Sequence, residues 1–487
     1  MSTTKSAFDR DRLFIGGAWS APSTAAVIDV ISPHSEMVIA RVAAAAPQDV
    51  NRAVAAARAA FDDGPWPRLD PSERIDAIRR LAKLYNESRS EMAELITAEI
   101  GAPIGFAKLA HVRIPWTMMN AFCDLAADYP WQEARPGLYG NDIRIRKEPA
   151  GVIAAVVPWN MPQFLIVAKL IPALLAGCCV VVKPAQESPL DALLLADLID
   201  EAGLPPGVVS VVPGGREVGE QLVAHPCVDK VSFTGSTAAG RQVATACAAD
   251  LRRVSLELGG KSAAIVLDDA DPTAVAASVR AASLGNSGQI CNALTRILVP
   301  ATRSGEFVEA LASEMRSLAV GDPADPATDI GPLVAQRQQA RVRQYIESGQ
   351  NEGARVVVGG TAMPDGIERG WYVRPTLFAD ADNAMRIARE EIFGPVLTVI
   401  PYRDEDDALR IANDSDYGLA GSVFTADLDR GFAIASRVRT GTFGVNQGYI
   451  MDPLAPFGGV KGSGYGRELG REGLEGFLDT KSISVAN

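Results

Sequence analysis

Residues 152–183 of the chain read VIAAVVPWNMPQFLIVAKLIPALLAGCCVVVK. A β-branched apolar run (152–157) is followed by a turn with two prolines, a long apolar stretch (163–176) that stops at Gly177, and a second apolar run (178–182). Parallel strands that are buried on both faces are near-continuous apolar runs, and a crossover helix joins one to the next. The stretch therefore predicts a strand–helix–strand unit of a parallel sheet.

The same alternation continues along the chain in two series. The first series adds helices at 188–203, 216–224 and 236–249 and strands at 208–212, 229–235 and 253–260. The second series runs from 262 to about 462, with strands at 262–268, 295–300, 354–360, 395–402 and 422–425. Such alternation predicts an α/β fold with two domains, each built on a mainly parallel sheet.

Two short segments, 141–149 and 480–487, fit neither series because apolar and polar residues alternate in them with period two. This pattern is typical of half-exposed strands. The two strands could pair with each other or with the sheet edge of a second subunit.

The composition is that of a large globular protein. The chain has 487 residues, about three domains or two large ones at roughly 150 residues each. Its 47 Lys and Arg against 59 Asp and Glu give a net charge of −12, and there is no basic run of five or more residues. This charge argues against nucleic acid as a partner, because phosphate backbones are held by clustered cations.

The cysteines and histidines do not form a recognisable framework. The six cysteines lack a disulfide spacing and are interpreted as reduced thiols of a cytoplasmic protein, and the three histidines are too scattered to suggest a zinc or other metal site.

The N-terminus is polar and has no apolar secretory segment. Residues 150–168 are uncharged over a bilayer-like length, but Pro158, Asn160 and Pro162 interrupt them, so no membrane span is predicted.

Two residues are candidates for catalysis on chemical grounds. Cys291 lies in the small, polar loop GNSGQICNAL (285–294), where glycines allow substrate to approach a thiol closely. Glu257 in LELGGKS (256–262) follows an apolar strand, and partial burial there would raise its pKa toward the range of a general base. An acid that caps a turn is the structural alternative for Glu257.

Two strand-to-helix turns are candidates for binding a phosphate or a ribose. FTGSTAAG (233–240) lacks both the GxGxxG spacing and the Lys-Ser/Thr pair of a P-loop, but backbone N–H groups at a helix start near Ser236 could receive a pyrophosphate. Lys183 and Gln186 in VVVKPAQESP (180–189) follow a buried strand, where they could hold a ribose or lie in a solvated loop.

Seven motifs in a fixed order strengthen these separate signals. They are VVPWNMP, VVVKPAQESP, FTGSTAAG, LELGGKS, GQICNA, EEIFGPV and PFGGVKGSGYGRELG. The set resembles the NAD(P)-dependent aldehyde dehydrogenase superfamily along essentially the whole chain. The resemblance implies a Rossmann-like NAD(P)-binding domain (1–126 and 150–259), an α/β catalytic domain (260–462), a connecting segment (463–470), and a small β oligomerisation element (127–149 and 471–487) of a homodimer or homotetramer.

The resemblance also implies catalytic roles. The Cys291 thiolate attacks the aldehyde, while the Asn160 amide and the Cys291 backbone N–H hold the oxyanion. Glu257 activates the water that hydrolyses the thioester, and Lys169 and Glu468 relay protons. Because Glu257 is present, an acid-forming enzyme is favoured over a CoA-acylating one.

For the cofactor, the resemblance implies the residues Trp159, Lys183, Gln186, Gly235, Ser236, Gly259, Glu391 and Phe393. Lys183 would contact the adenosine ribose, Ser236 the pyrophosphate, and Glu391 with Phe393 the nicotinamide ribose. Members that strictly prefer NAD usually have Glu where this chain has Gln186. A neutral side chain there does not repel a 2′-phosphate, so we predict NAD use with some tolerance of NADP.

The positions that match the family's substrate pocket are Met161, Phe164, Leu165, Ala168, Ile290, Asn292 and Met451. They provide no cation for a buried carboxylate or phosphate, and Ala168 would leave room for a long chain. We therefore predict a medium or long aliphatic, terpenoid or aromatic aldehyde. The alternatives are a semialdehyde, a cofactor-independent thiol esterase or acyltransferase, and a non-catalytic binding role.

Overall fold

Strands joined by crossover helices make up most of the computed structural model, which describes residues 8–486. The strands are β1 (Leu13–Ile15), β2 (Ala18–Ser20), β3 (Val27–Ile31), β4 (Val38–Ala43), β5 (Gln132–Pro136), β6 (Asp142–Pro149), β7 (Val152–Val156), β8 (Cys179–Lys183), β9 (Val209–Val211), β10 (Lys230–Thr234), β11 (Arg253–Glu257), β12 (Ser262–Val266), β13 (Leu294–Pro300), β14 (Arg355–Val358), β15 (Thr376–Ala379), β16 (Val396–Tyr402), β17 (Gly421–Phe424), β18 (Gly444–Val445), β19 (Gly464–Tyr465) and β20 (Leu478–Val485).

The α-helices are α1 (Pro47–Asp62), α2 (Pro71–Glu87), α3 (Arg89–Ile100), α4 (Ile104–Phe106), α5 (Ile114–Ala127), α6 (Pro162–Ala176), α7 (Leu190–Glu201), α8 (Arg216–Ala224), α9 (Thr237–Ala249), α10 (Pro272–Ser283), α11 (Ser304–Arg316), α12 (Gln336–Asn351), α13 (Arg386–Arg389), α14 (Glu405–Asn413), α15 (Leu428–Arg437) and α16 (Gly470–Glu475). A π-helix (Ala107–Arg113) joins α4 to α5, and short 3₁₀ turns lie at Trp66–Arg68, Gly285–Gly288, Ala301–Arg303 and Lys461–Ser463.

The first large sheet has eight strands in the order β19-β11-β10-β7-β8-β9-β1-β2, and the five strands from β11 to β9 are parallel. The predicted strand–helix–strand unit is confirmed as β7, α6 and β8. Every residue of β7, α6 and β8 is buried, since the strands are central in the sheet and α6 packs against α2 and α5. This burial explains why the segment is apolar throughout.

The second large sheet has the order β14-β15-β16-β13-β12-β17-β18, with β14 antiparallel to the rest. The strand predicted at 253–260 is too long, because β11 ends at Glu257 and residues 258–261 carry the chain from the first sheet into the second. β15 was not predicted. The two sheets confirm the expected α/β architecture.

The two unassigned strands pair with each other. β6 lies antiparallel between β5 and β20, with Lys147 opposite Thr480 and Ile145 opposite Ser482. Of the two pairings that the sequence left open, the structure therefore has the intramolecular one. β20 lies at one edge of this three-stranded sheet and is exposed after its first residue.

All six cysteines are unpaired, as predicted. Residues 150–168 form β7, a turn and the first half of α6. Among the described helices, none is both long and apolar enough to cross a membrane.

Candidate active site

A cleft of about 270 Å³ lies where loops of the two large sheets meet. The first sheet contributes the turn after β7 and the carboxyl ends of β10 and β11, where ligands of α/β proteins commonly bind. The predicted residues that line the cleft are Trp159, Asn160, Met161, Phe164, Leu165, Gly235, Ser236, Gly259, Ile290, Cys291, Glu391, Phe393 and Met451. The fold thus gathers residues that are up to 292 positions apart (Trp159 to Met451) into one cleft.

Cys291 lies in the loop before β13, and its thiol carries its proton in the resting protein. Burial, together with the nearby carboxylates of Glu391 and Glu257, raises the pKa of this thiol to about 12. The backbone N–H groups of Asn292 and Cys291 oppose that rise. A base must therefore accept the proton when the sulfur reacts.

The Asn160 side chain is buried beside this loop. Asn160 Nδ2 donates to the Gln289 backbone carbonyl oxygen at 2.9 Å. The backbone carbonyl oxygen of Asn160 accepts from Asn286 Nδ2 at 2.7 Å. The second amide hydrogen of Asn160 remains available to an oxyanion in the cleft. Trp159, the preceding residue, lies edge-on to the Phe393 ring with centroids 5.5 Å apart.

Glu257 does not line the cleft and lies buried behind its wall. Neither carboxylate oxygen has a hydrogen-bond partner among the described residues. Burial, followed by the charge of Glu468, raises the pKa of Glu257 well above its ordinary value, and Lys169 and Arg467 oppose this rise. A buried carboxyl with a raised pKa has the properties of a general base at neutral pH.

Lys169 and Glu468 form a buried ion pair in the same region. Lys169 Nζ also donates to Thr234 Oγ1 at 2.7 Å, and Thr234 lines the cleft. The pair is thus one hydrogen bond away from the cleft. Sequence reasoning missed Thr234, although it lies in FTGSTAAG, because attention went to Gly235 and Ser236 in the turn that follows it.

Glu391 is fixed next to the turn after β11. Its Oε1 accepts from the Gly260 backbone N–H at 3.0 Å, and burial raises its pKa. A Cβ at Gly259 would overlap the Glu391 carboxylate, so this position requires glycine.

A second cavity, of about 700 Å³, lies between α8 and α9 and shares Ser236 with the cleft. Ser236 caps α9, because its Oγ accepts from the Ala239 N–H at 3.3 Å. Lys183 lines the cavity with only 9% of its surface exposed, and burial lowers its pKa to about 8. The start of α9, where backbone N–H groups favour phosphate, thus joins two cavities.

Some predicted binding residues lie outside both cavities. Ala168 is buried one turn beyond Phe164 on α6, where its short side chain belongs to the core, so the expected extra room is not part of the cleft. Asn292 does not line the cleft, and Gln186 is exposed beyond the end of β8.

Further cleft residues were not predicted. They are Pro158, Leu258, Gln338, Arg341 and Phe457, together with Thr234. Arg341 brings a cation to the cleft, but its guanidinium donates to the Glu391 carbonyl oxygen at 2.7 Å and lies over the Tyr345 ring. Gln338 and Arg341 lie on α12, whose amphipathic sequence contains no recognisable binding motif.

Comparison with known proteins agrees with this site. A sequence model of the aldehyde dehydrogenase family matches residues 19–483. The chain is 46% identical to geranial dehydrogenase of Castellaniella defragrans and 44% identical to 3-succinoylsemialdehyde-pyridine dehydrogenase of a Pseudomonas species, and each alignment covers 98% of both chains.

Among solved structures, the chain is similar to a cysteine-to-alanine variant of aldehyde dehydrogenase C from Pseudomonas syringae, which was crystallised with NAD+ and octanal. The TM-score is 0.95 at 44% identity, and the match covers 99% of this chain and 98% of the other. These findings confirm the resemblance that the seven motifs carry and the expected fold class. The chain belongs to the aldehyde dehydrogenase family.

Proposed function

We propose that the protein oxidises an apolar aldehyde to the carboxylic acid with NAD+. The observation that carries this proposal is the placement of the Cys291 thiol and the Asn160 amide in one cleft with Glu391 and Ser236. A thiol esterase would need only the first two groups. The two cavities that share Ser236 favour an enzyme that also binds a dinucleotide.

The two cavities fit a dinucleotide in size and chemistry. The N-terminus of α9 suits the pyrophosphate, while Lys183 and Glu391 suit the two riboses. When bound, NAD+ supplies the hydride acceptor for the reaction at Cys291. Because Gln186 is uncharged, we expect NADP+ to be accepted as well.

Cys291 forms the first covalent bond with the substrate. Its sulfur adds to the aldehyde carbon as its proton passes to a water molecule in the cleft. The aldehyde oxygen becomes an oxyanion, and the second Asn160 amide hydrogen and the Cys291 backbone N–H donate to it. Loss of the hydride from the former aldehyde carbon leaves a thioester on Cys291.

Hydrolysis of the thioester releases the acid. Glu257 takes a proton from water as the water oxygen bonds to the acyl carbon. The carbon–sulfur bond then breaks, and the departing Cys291 sulfur takes up the proton of the new carboxylic acid, which restores the thiol and releases the carboxylate. We propose that Lys169, Glu468 and Thr234, which form a buried hydrogen-bonded chain, receive the proton that Glu257 takes from water, although none of them is hydrogen-bonded to the Glu257 carboxylate.

The cleft favours an uncharged, apolar substrate. Met161, Phe164, Leu165, Ile290 and Met451 line it, and its one described arginine is held by Glu391 and Tyr345. A buried substrate carboxylate would have to compete with these two contacts for the Arg341 guanidinium. Geranial dehydrogenase is named for an apolar aldehyde, whereas the name of the Pseudomonas relative indicates a semialdehyde with a pyridine ring, so both types belong in a test.

The unpaired cysteines are compatible with a reducing compartment, and we propose a cytoplasmic location and self-association into a dimer or tetramer.

The test measures the formation of NADH and of NADPH by absorbance. The substrates are hexanal, geranial, benzaldehyde and succinic semialdehyde. We expect activity with the first three that is lost in Cys291→Ala. A tenfold higher kcat/KM for succinic semialdehyde, about 1.4 kcal/mol, would contradict the substrate class. If folded protein reduces no cofactor with any aldehyde but hydrolyses p-nitrophenyl acetate, the thiol esterase alternative replaces the proposal.

A further inference from the structure

Three amide side chains near Cys291 form a closed ring of hydrogen bonds. Asn286 Nδ2 donates to the Asn160 carbonyl oxygen at 2.7 Å, and Asn160 Nδ2 donates to the Gln289 carbonyl oxygen at 2.9 Å. Gln289 Nε2 donates to the Asn286 carbonyl oxygen at 3.1 Å, which closes the ring. Each side chain thus holds the backbone of the next residue, and all three are at most 4% exposed.

The backbone that carries this ring is unusual. Asn286, Ser287 and Gly288 are consecutive left-handed residues, with φ of 49°, 56° and 75°. Non-glycine residues rarely adopt this conformation, and they keep it only where surrounding contacts hold them there. Ser287 is held by its hydroxyl, which donates to the Gly331 carbonyl oxygen at 2.8 Å, and Asn286 is held by the ring.

Asn286 has no other hydrogen-bonding use for its side chain. Its Oδ1 is buried and lacks a partner among the described residues, so its one side-chain bond is the one to Asn160. That bond fixes the backbone of the residue whose amide faces the cleft. Gln289 in turn is held by the Val334 N–H, which donates to its Oε1 at 3.0 Å.

We infer that Asn286 is a positioning residue for oxyanion stabilisation: through its hydrogen bond to the Asn160 carbonyl oxygen it fixes the Asn160 amide relative to the Cys291 sulfur. This inference rests on the proposed function and identifies how the loop before Cys291 contributes to it. A displacement of about 1 Å in such a donor can lower a rate on the order of a hundredfold.

The test uses Asn286→Gly, which removes the amide but readily keeps the left-handed backbone. Ser287→Gly is the matched control, because it also replaces a left-handed residue by glycine and removes one buried side-chain hydrogen bond, to Gly331, but leaves the ring in place. Both variants are assayed for NADH formation from hexanal and for p-nitrophenyl acetate hydrolysis without cofactor. The ester reaction passes through an oxyanion at the same sulfur, so it tests the inference even if the proposed dehydrogenase activity fails.

We expect Asn286→Gly to lower kcat about 10- to 100-fold in both reactions, with KM for NAD+ unchanged. Ser287→Gly should stay within about threefold of wild type. The rate at which iodoacetamide alkylates Cys291 should change by less than about twofold in Asn286→Gly, because alkylation forms no oxyanion. A general collapse of the loop would instead change the alkylation rate as strongly as kcat.

A double-mutant cycle then decides whether Asn286 acts through Asn160. In an Asn160→Ala background, Asn286→Gly should lower kcat by less than about twofold, because the amide that it positions is already gone. Additive losses would overturn the inference, and so would wild-type kcat in Asn286→Gly. If Asn286→Gly does not fold, Asn286→Asp serves in its place, since aspartate keeps the size and tolerates the left-handed backbone but cannot donate.

Discussion

At the scale of single residues, burial determines the chemistry of both reacting groups. Burial raises the pKa of the Cys291 thiol to about 12 and that of the Glu257 carboxyl well above its ordinary value. The negative charges of Glu391 and Glu257 raise the pKa of the Cys291 thiol further. A thiol that holds its proton until substrate is present is protected from oxidation, which proceeds through the thiolate.

We predict that Glu257→Gln separates the two halves of the reaction. The variant should form about one NADH per active site and then turn over roughly 10²- to 10⁴-fold more slowly than wild type, because no base activates the hydrolytic water. Rapid mixing with hexanal and NAD+ would show this burst. Continued turnover at the wild-type rate would remove Glu257 from the mechanism.

The fold should tolerate this change. Glutamine has nearly the same shape as glutamate, and neither Glu257 oxygen accepts a hydrogen bond from a described residue. The thermal midpoint of Glu257→Gln should therefore equal or exceed that of wild type, which makes a loss of turnover attributable to chemistry.

Gln186 is the residue for which we predict an effect on cofactor choice. Gln186→Glu should lower kcat/KM for NADP+ at least tenfold, about 1.4 kcal/mol, with little change for NAD+, because a carboxylate repels the 2′-phosphate. Steady-state kinetics with both cofactors measure the ratio. Gln350→Glu adds the same charge to the exposed end of α12, so an equal shift in that variant would exclude a local effect of residue 186.

At the scale of elements, a π-helix supports the loop of the nucleophile. The segment from α4 to α5 includes the π-helix Ala107–Arg113, a form that is rare outside functional regions. Phe106 at its start lies edge-on to His111, 5.4 Å between ring centroids, and a methyl group on Gly285 would overlap the Phe106 ring. Phe106, the last residue of α4 and the residue directly before the π-helix, thus packs against the turn that leads to Cys291.

His111 makes this element sensitive to acid. The residue is fully buried, and neither ring nitrogen has a partner among the described residues, so burial lowers its pKa from 6.5 to about 3. Between these two values the unfolded chain binds a proton that the folded protein does not. Stability is therefore fully present above pH 6.5 and declines as the pH falls toward 3.

We predict that His111→Leu removes this loss of stability at acidic pH. At roughly 1.4 kcal/mol per pH unit, His111 alone lowers the free energy of unfolding by about 2 kcal/mol between pH 6.5 and about pH 5. Leucine fills a similar volume without a titratable group, so the thermal midpoint of the variant should fall less over that interval than that of wild type. If the thermal midpoints of the two proteins fell equally as the pH was lowered, the prediction would be contradicted.

The helices and strands differ in how well the sequence predicts them. The elements from β7 to α9 match their predicted bounds to within two residues, because the buried strands are apolar throughout and Gly, Pro or Ser residues mark the ends of the helices. β11 was predicted too long because glycines at its end give no apolar signal. The pairing of β6 with β20 was left open, since a period-two pattern defines a strand's faces and not its neighbour.

The residues of the candidate site likewise include some that the sequence predicts and some that it does not. Cys291, Asn160 and Glu391 were predicted because each belongs to a motif that the family shares. Thr234 was missed although it belongs to FTGSTAAG, because only the turn after it was considered, whereas Gln338 stands alone in sequence and reaches the cleft through tertiary packing. The ring around Asn286 was also not predicted, because two of its three hydrogen bonds join segments that are more than 120 residues apart.

At the scale of the whole molecule, the chain crosses between the two large sheets on either side of the reacting groups. Residues 258–261 lead from β11 into β12, and the chain later returns so that β19 pairs with β11, with Gly464 opposite Glu257. Glu257, the proposed general base, is thus held at a strand end where both crossings meet. This topology explains why Glu257 and Glu468 lie close together although 211 residues separate them (468 − 257).

The three-stranded sheet presents apolar groups that the chain itself does not cover. Leu138 and Tyr139, at the tip of the hairpin between β5 and β6, are 98% and 97% exposed, and Ile483 and Val485 on β20 are also exposed. Exposed apolar clusters of this kind mark protein–protein contacts. We predict that a second copy of the chain covers them in a dimer or tetramer.

The double variant Leu138→Ser/Tyr139→Ser tests this prediction without disturbing the subunit, because neither side chain is buried in it. Sedimentation velocity should show wild type as a dimer or larger and the variant shifted toward smaller species, since each apolar group that the second copy buries contributes up to about 1.5–3 kcal/mol. Leu251→Ser, at a 93% exposed leucine after α9 and outside this sheet, is the matched control and should sediment as wild type. A monomeric wild type, or equal sedimentation of all three proteins, would show that this hairpin is not an interface.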